Sequence, residues 1–133
     1  MKKTAFLSEP RKHKALKFVL ENFLSILPEE WYVQVNHGTH NIDYIKSIVD
    51  ESEIISNANS NGRFLLYNLG VENMTHEGES NLLRTEAFWD NVDGDLLLKF
   101  ECDTMLCPNS DYKISQFENY DYIGGYWGNQ LYE

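Results

Sequence analysis

A short, nearly unbroken apolar run that stops on acid constrains this chain more than any other stretch. Leu96, Leu97, Leu98 and Phe100 are followed at once by Glu101, Cys102 and Asp103. A strand with one wet face alternates polar and apolar residues, whereas one covered on both faces does not need to, as in a parallel sheet with helices above and below. The run therefore predicts a strand in the middle of such a sheet. In open sheets of that kind ligands bind at the carboxyl edge. Glu101 and Asp103 stand there, two residues apart.

The flanking sequence supplies the rest of the sheet. Residues 4–8 (TAFLS) are a short apolar strand closed by Glu9-Pro10. Leu16, Val19, Leu20, Phe23, Leu24 and Leu27 then recur at three- and four-residue spacing, an amphipathic helix that Pro28 stops. Residues 31–36 (WYVQVN) read as a second strand, His37-Gly38-Thr39-His40-Asn41 as its turn, and residues 42–49 as a second helix. The asparagine- and serine-rich segment 50–62 predicts an exposed loop. Residues 63–69 form a third strand, and Thr75 or a neighbour caps a helix carrying Leu82, Leu83, Ala87 and Phe88. After the opening strand, Ser110 caps a short helix over 111–117 and residues 120–123 make another strand. Strand and helix alternate with short connections, which is the pattern of one α/β domain over residues 1–133, a mostly parallel, Rossmann-like sheet flanked by helices.

Charge narrows the partners. A formal net charge of −10 repels a nucleic-acid polymer or an anionic membrane surface. No stretch is long enough for a membrane span. The start Met1-Lys2-Lys3 lacks a following apolar region of the length a secretion signal needs, so a cytoplasmic location is expected. Cys102 and Cys107 fit neither a disulfide framework nor a four-ligand zinc site, and read as two reduced, partly buried thiols.

Several groups can carry chemistry at the strand ends. Glu101 and Asp103 can approach one divalent cation together and leave positions open for diphosphate oxygens; read alone, the triplet is better explained as a solvated loop. His37, Gly38 and Asn41 combine close backbone approach with hydrogen-bonding side chains, as would a plain glycine turn. Arg11 can set a cation beside a phosphate or simply start a helix. Tyr120, Tyr122 and Trp127 with Gly124-Gly125 make either a ring-lined edge for a base or sugar, or core aromatics at a bend.

The segments EPRKHKALKFVLENFLSILPEEWYVQVNHGTHN, LLRTEAFWDNVDGDLLLKFECDTMLC and FENYDYIGGYW resemble, in residues and order, the family catalogued as domain of unknown function 5672. The likeness spans nearly the whole chain. It implies the donor-binding part of an A-type glycosyltransferase, with Asp103 in the family's F-Q-x-D motif as a metal ligand and Arg11, His13, His37, Gly38 and Asn41 near the nucleotide. Glu101 stands where the family has glutamine, which adds a second carboxylate for Mn2+ or Mg2+. Gly125-Tyr126 stands where Ala-Pro is usual. The family continues beyond the tryptophan, so its C-terminal acceptor part is expected to be missing, and no catalytic base can be named. The implied partners are a nucleotide-sugar donor and an unidentified acceptor. The alternative is a non-catalytic α/β module that binds a nucleotide, a cation or a protein partner, including self-association through the face where further chain would pack.

Overall fold

The computed structural model of the chain describes residues 1–125. In chain order these form β1 (Lys3–Glu9), α1 (Leu16–Ile26), β2 (Trp31–His37), α2 (Ile42–Glu51), α3 (Glu53–Ser60), β3 (Phe64–Asn68), α4 (His76–Leu82), α5 (Glu86–Asp90), β4 (Leu96–Lys99) and a 3₁₀ turn, Ile114–Phe117. The strands make one all-parallel sheet in the order β3-β2-β1-β4. The expected α/β, Rossmann-like architecture is the one observed.

The order follows from two successive crossovers. The chain steps outward from β1 to β2 to β3 through α1 and the α2–α3 pair, then returns over the other face through α4 and α5 to place β4 on the far side of β1. Alternate residues of β1 therefore serve different cores. Ala5 and Leu7 join Val33, Val35, Phe23, Ile45 and Ile55 under the first set of helices. Phe6 points the other way, into a smaller cluster with Phe88 and Val92 that Leu97 helps to close. On that second face β2 carries Gln34 and Asn36, both buried. Their polarity is satisfied: Gln34 Nε2 donates to Asn36 Oδ1 at 2.7 Å and to the Asn91 carbonyl at 2.8 Å, and Asn36 Nδ2 donates to Ser8 Oγ at 3.2 Å.

α1 grips the loop that leaves β4. The rings of Phe23 and Phe100 stack with centroids 3.8 Å apart and planes 15° from parallel. At the preceding residue, the Asn22 amide is paired reciprocally with the Leu106 backbone, Nδ2 donating to its carbonyl at 3.0 Å and Oδ1 accepting from its N–H at 2.7 Å. Phe100 N–H still donates to Phe6 O at 3.0 Å, so the acidic segment begins from a fixed point.

Five expectations are corrected. Segment 50–62 is not a loop but holds α3, because Ser52 Oγ accepts from Ile55 N–H as an N-cap while Ile55 and Ala58, three apart, are buried and the Asn and Ser side chains lie on the outer side. The single helix expected after Thr75 is two, broken where Thr85 adopts extended backbone and its hydroxyl takes the Leu82 carbonyl. β4 is not central: among the described residues it pairs with β1 alone, since an unalternating apolar run reports two covered faces and says nothing about two paired edges. Residues 111–117 shorten to the single 3₁₀ turn, and 120–123 form no strand.

The helical assignment of α3 has a direct check. Ile55 is 0% exposed and Ile54 43% exposed, so Ile55→Ala should cost about 2–5 kcal/mol of unfolding free energy and Ile54→Ala less than about 0.5 kcal/mol in denaturant titrations. A loop would leave both changes small.

Candidate functional site at the β1–β4 switch point

The two crossovers diverge at β1, and a crevice opens at the carboxyl ends of β1 and β4 where the strand order reverses. This is where parallel α/β sheets hold ligands. A cavity of about 440 Å³ occupies it. Its walls come from three places: Ser8, Glu9, Pro10, Arg11 and His13 after β1; Glu101, Cys102 and Asp103 after β4; and Met74, Thr75, His76 and Glu79 at the start of α4.

The β1 wall is held from behind by the β2 turn. Asn41 is 1% exposed, and every polar atom of its amide is used. Oδ1 accepts from Gly38 N–H at 2.8 Å, and Nδ2 donates to the carbonyls of Glu9 at 2.8 Å and Arg11 at 2.9 Å. Gly38 is there because nothing larger fits: a Cβ would stand 2.6 Å from the Pro10 carbonyl oxygen and 2.7 Å from that of Val71. His37 Nδ1 lies 2.7 Å from the Gly38 carbonyl, which places the ring proton on that nitrogen. Thus Arg11, His13, Glu101 and Asp103 meet at one cavity, while His37, Gly38 and Asn41 lie buried behind it and set the path of its β1 loop.

The charges are arranged in pairs with one left over. Arg11 forms a fork on the buried Glu9, Nε to Oε1 at 2.9 Å and Nη2 to Oε2 at 3.3 Å, and this pairing raises the guanidinium above its ordinary value. Lys99 reaches Glu101 at 2.7 Å and Glu79 at 3.1 Å. Burial alone would lower the Lys99 ammonium, but its hydrogen bonds to Glu101 and Glu79 more than offset that and raise it, so it stays charged. Residues 101–104 form a turn closed by Thr104 N–H on the Glu101 carbonyl at 3.0 Å. It carries Asp103 to an exposed position on the rim, and among the described residues no cation or donor pairs with its carboxylate. The cavity lining thus sets four carboxylates against one guanidinium.

His76 and Glu79 escaped sequence reasoning. The only available signal was the N-cap at Thr75, whose hydroxyl accepts from Gly78 N–H at 3.0 Å; that α4 then faces the β4 loop follows from topology. Of the aromatic group, Tyr120 and Tyr122 lie beside β4 and away from this cavity, and Trp127 lies outside the described residues.

The family described as protein of unknown function (DUF5672) matches residues 67–133. The chain belongs to that family. The DUF5672 match includes α4, β4, Glu101 and Asp103, whereas Arg11, His13, His37, Gly38 and Asn41 precede it. No curated protein and no solved structure matches the chain. Among the described residues no helix is long and apolar enough to cross a membrane.

The cavity floor gives a chemical test. Burial, with Glu9 nearby, pushes the Cys102 thiol up to about 12 despite the opposing pull of Arg11. Thiolate is the reactive form, so at pH 8 Cys102 should resist iodoacetamide while the exposed Cys107 is alkylated, and Cys102 should react only as pH rises towards 12 or the chain unfolds. Mass spectrometry of peptides from a timed labelling series reads both sites.

Proposed function

We propose that this chain is the donor-binding domain of a metal-dependent glycosyltransferase, with the crevice between β1 and β4 holding the diphosphate of a nucleotide sugar. The observation that carries the reading is the meeting of Arg11 with Glu101 and Asp103 around one cavity at the sheet's switch point. The glycosyl part rests on the sequence resemblance of the flanking segments to the family's A-type glycosyltransferase pattern.

The donor set fits magnesium or manganese. Such ions take hard oxygen ligands and are commonly held by one or two carboxylates together with substrate phosphates. Among the described residues no three His, Cys, Asp or Glu side chains are placed to hold a metal ion, so phosphate oxygens would complete the coordination. Asp103, without a partner among the described residues, would be the principal ligand, with Glu101 joining it at the expense of its contact with Lys99. Bound there, the cation would stabilise the charge on a departing diphosphate as a Lewis acid.

The chain's own residues account for binding and order. Four lining carboxylates repel a bare diphosphate, so the anion and the cation must enter together or each must lower the cost of the other. Arg11 is held toward the crevice by Glu9 and by the Asn41 amide on its carbonyl, and it can offer its remaining N–H groups to a phosphate without moving. An inverting transfer would further require a group that takes the acceptor's proton. A binding module without catalysis would use the same crevice and lack only that group.

Calorimetric titration with uridine and guanosine diphosphates tests the proposal. Binding should strengthen at least tenfold, about 1.4 kcal/mol, when Mn2+ is present. Manganese alone should bind weakly, and Asp103→Ala should abolish the synergy while preserving the melting curve. Nucleotide affinity that ignores both chelator and Asp103→Ala would sink the reading, as would no nucleotide binding at all.

A further inference from the structure

Among the described residues β4 leaves one edge open, and a groove of about 660 Å³ runs along it. Its backbone polarity is set by the pairing on the other side. Leu96 N–H donates to Lys2 O and Phe100 N–H to Phe6 O, and because alternate residues of a strand face opposite edges, the N–H and C=O groups of Leu97 and Lys99 point into the groove. Exposed aromatic and aliphatic surface borders it on both faces, from Trp89 on one and Phe117, Tyr120, Tyr122 and Ile123 on the other. Trp31 also lines it. That side chain is 1% exposed, and its Nε1 is the one buried side-chain polar atom without a hydrogen-bond partner among the described residues.

An unpaired strand, a bordering apolar rim and an orphaned buried donor all call for the same occupant, an extended chain bearing carbonyl acceptors. The β4 sequence identifies one. Asp95-Leu96-Leu97-Leu98-Lys99 is self-complementary when reversed: laid antiparallel on a second copy about an axis through Leu97, Asp95 faces Lys99 of the copy, Leu96 faces its Leu98, and the two Leu97 residues meet. We infer that the β4 edge is a self-association surface, through which two copies of the chain join their sheets into one eight-stranded sheet about a twofold axis. The pairing is isologous and closes after two copies. Leu97 and Lys99 of each copy gain partners for their outward groups, the aromatic rim leaves water, and the arriving strand brings acceptors to the side of the groove that Trp31 lines. The site lies at the side of the sheet, distinct from the crevice at its carboxyl end, and the inference stands or falls independently of any nucleotide.

Sedimentation velocity of the full chain at micromolar concentration should show a dimer. Leu97→Pro removes an N–H that β1 does not use and is compatible with an edge position, so it should give a monomer with an unchanged circular dichroism spectrum. Should that variant fail to fold, Leu97→Cys with Cys102→Ser and Cys107→Ser decides the matter: mild oxidation should link two copies through position 97. A native chain that sediments as a monomer overturns the inference, as does a dimer that survives in folded Leu97→Pro or fails to cross-link at position 97. A monomer whose Leu97 and Lys99 amides nevertheless resist hydrogen exchange also overturns it, since another segment would then occupy the edge.

Discussion

β1 is bonded in parallel register along both of its edges, to β2 over seven residue pairs and to β4 over four, and it divides its side chains between two cores. Everything that positions the crevice hangs on that arrangement. Because the chain steps away from β1 in one direction and returns in the other, the ends of β1 and β4 lie side by side with no connection packed between them. The crevice is thus a by-product of topology, and the residues that line it are whichever ones the two strands happen to release there. In this chain they are Arg11 on one side and an acidic turn on the other.

The polar residues around the crevice divide between framework and ligand duties, and hydrogen-bond saturation separates the two. Asn41 spends its whole amide on three backbone groups, and His37 places one ring nitrogen against its own neighbour. Loss of such buried partners leaves backbone groups unsatisfied, at about 1–3 kcal/mol each, so these residues matter first to the shape of the loop. Glu9 and Lys99 hold other side chains by charge. Asp103 holds nothing among the described residues, and it sits exposed on the rim of the crevice.

How much of this was legible beforehand depended on which physical signal each element sends. Helix α1 announced itself because Leu16, Val19, Leu20, Phe23 and Leu24 repeat with the helical period and are all buried. Helix α3 hid because its buried stripe is only Ile55 and Ala58, set among asparagines and serines whose composition favours turns. The position of β4 hid for a different reason: its leucines record the helices and loops over its two faces, while its hydrogen-bonding edges leave no trace in side-chain identity. Arg11, Glu101 and Asp103 could be found as groups at strand ends, because the carboxyl edge of a parallel sheet is predictable from alternation alone, whereas His13 was implied only by the family resemblance. His76 and Glu79 could not, since their place opposite Asp103 depends on how far α4 and α5 travel back across the sheet.

The tight approach at Gly38 bears on how the crevice can move. With the Pro10 and Val71 carbonyls crowded against that residue and Asn41 clamped across two loops, the β1 and β2 loops form one stiff rim. The α1 clamp on Phe100 and Leu106 immobilises the opposite lip. Helix α4 buries no residue fully and is held by the packing of Leu82 on the Phe6 cluster and by the Glu79–Lys99 ion pair, contacts that give less local stability than the buried clamps of the other two walls. Closure over a bound molecule would then fall to one short helix moving toward two stiff jaws.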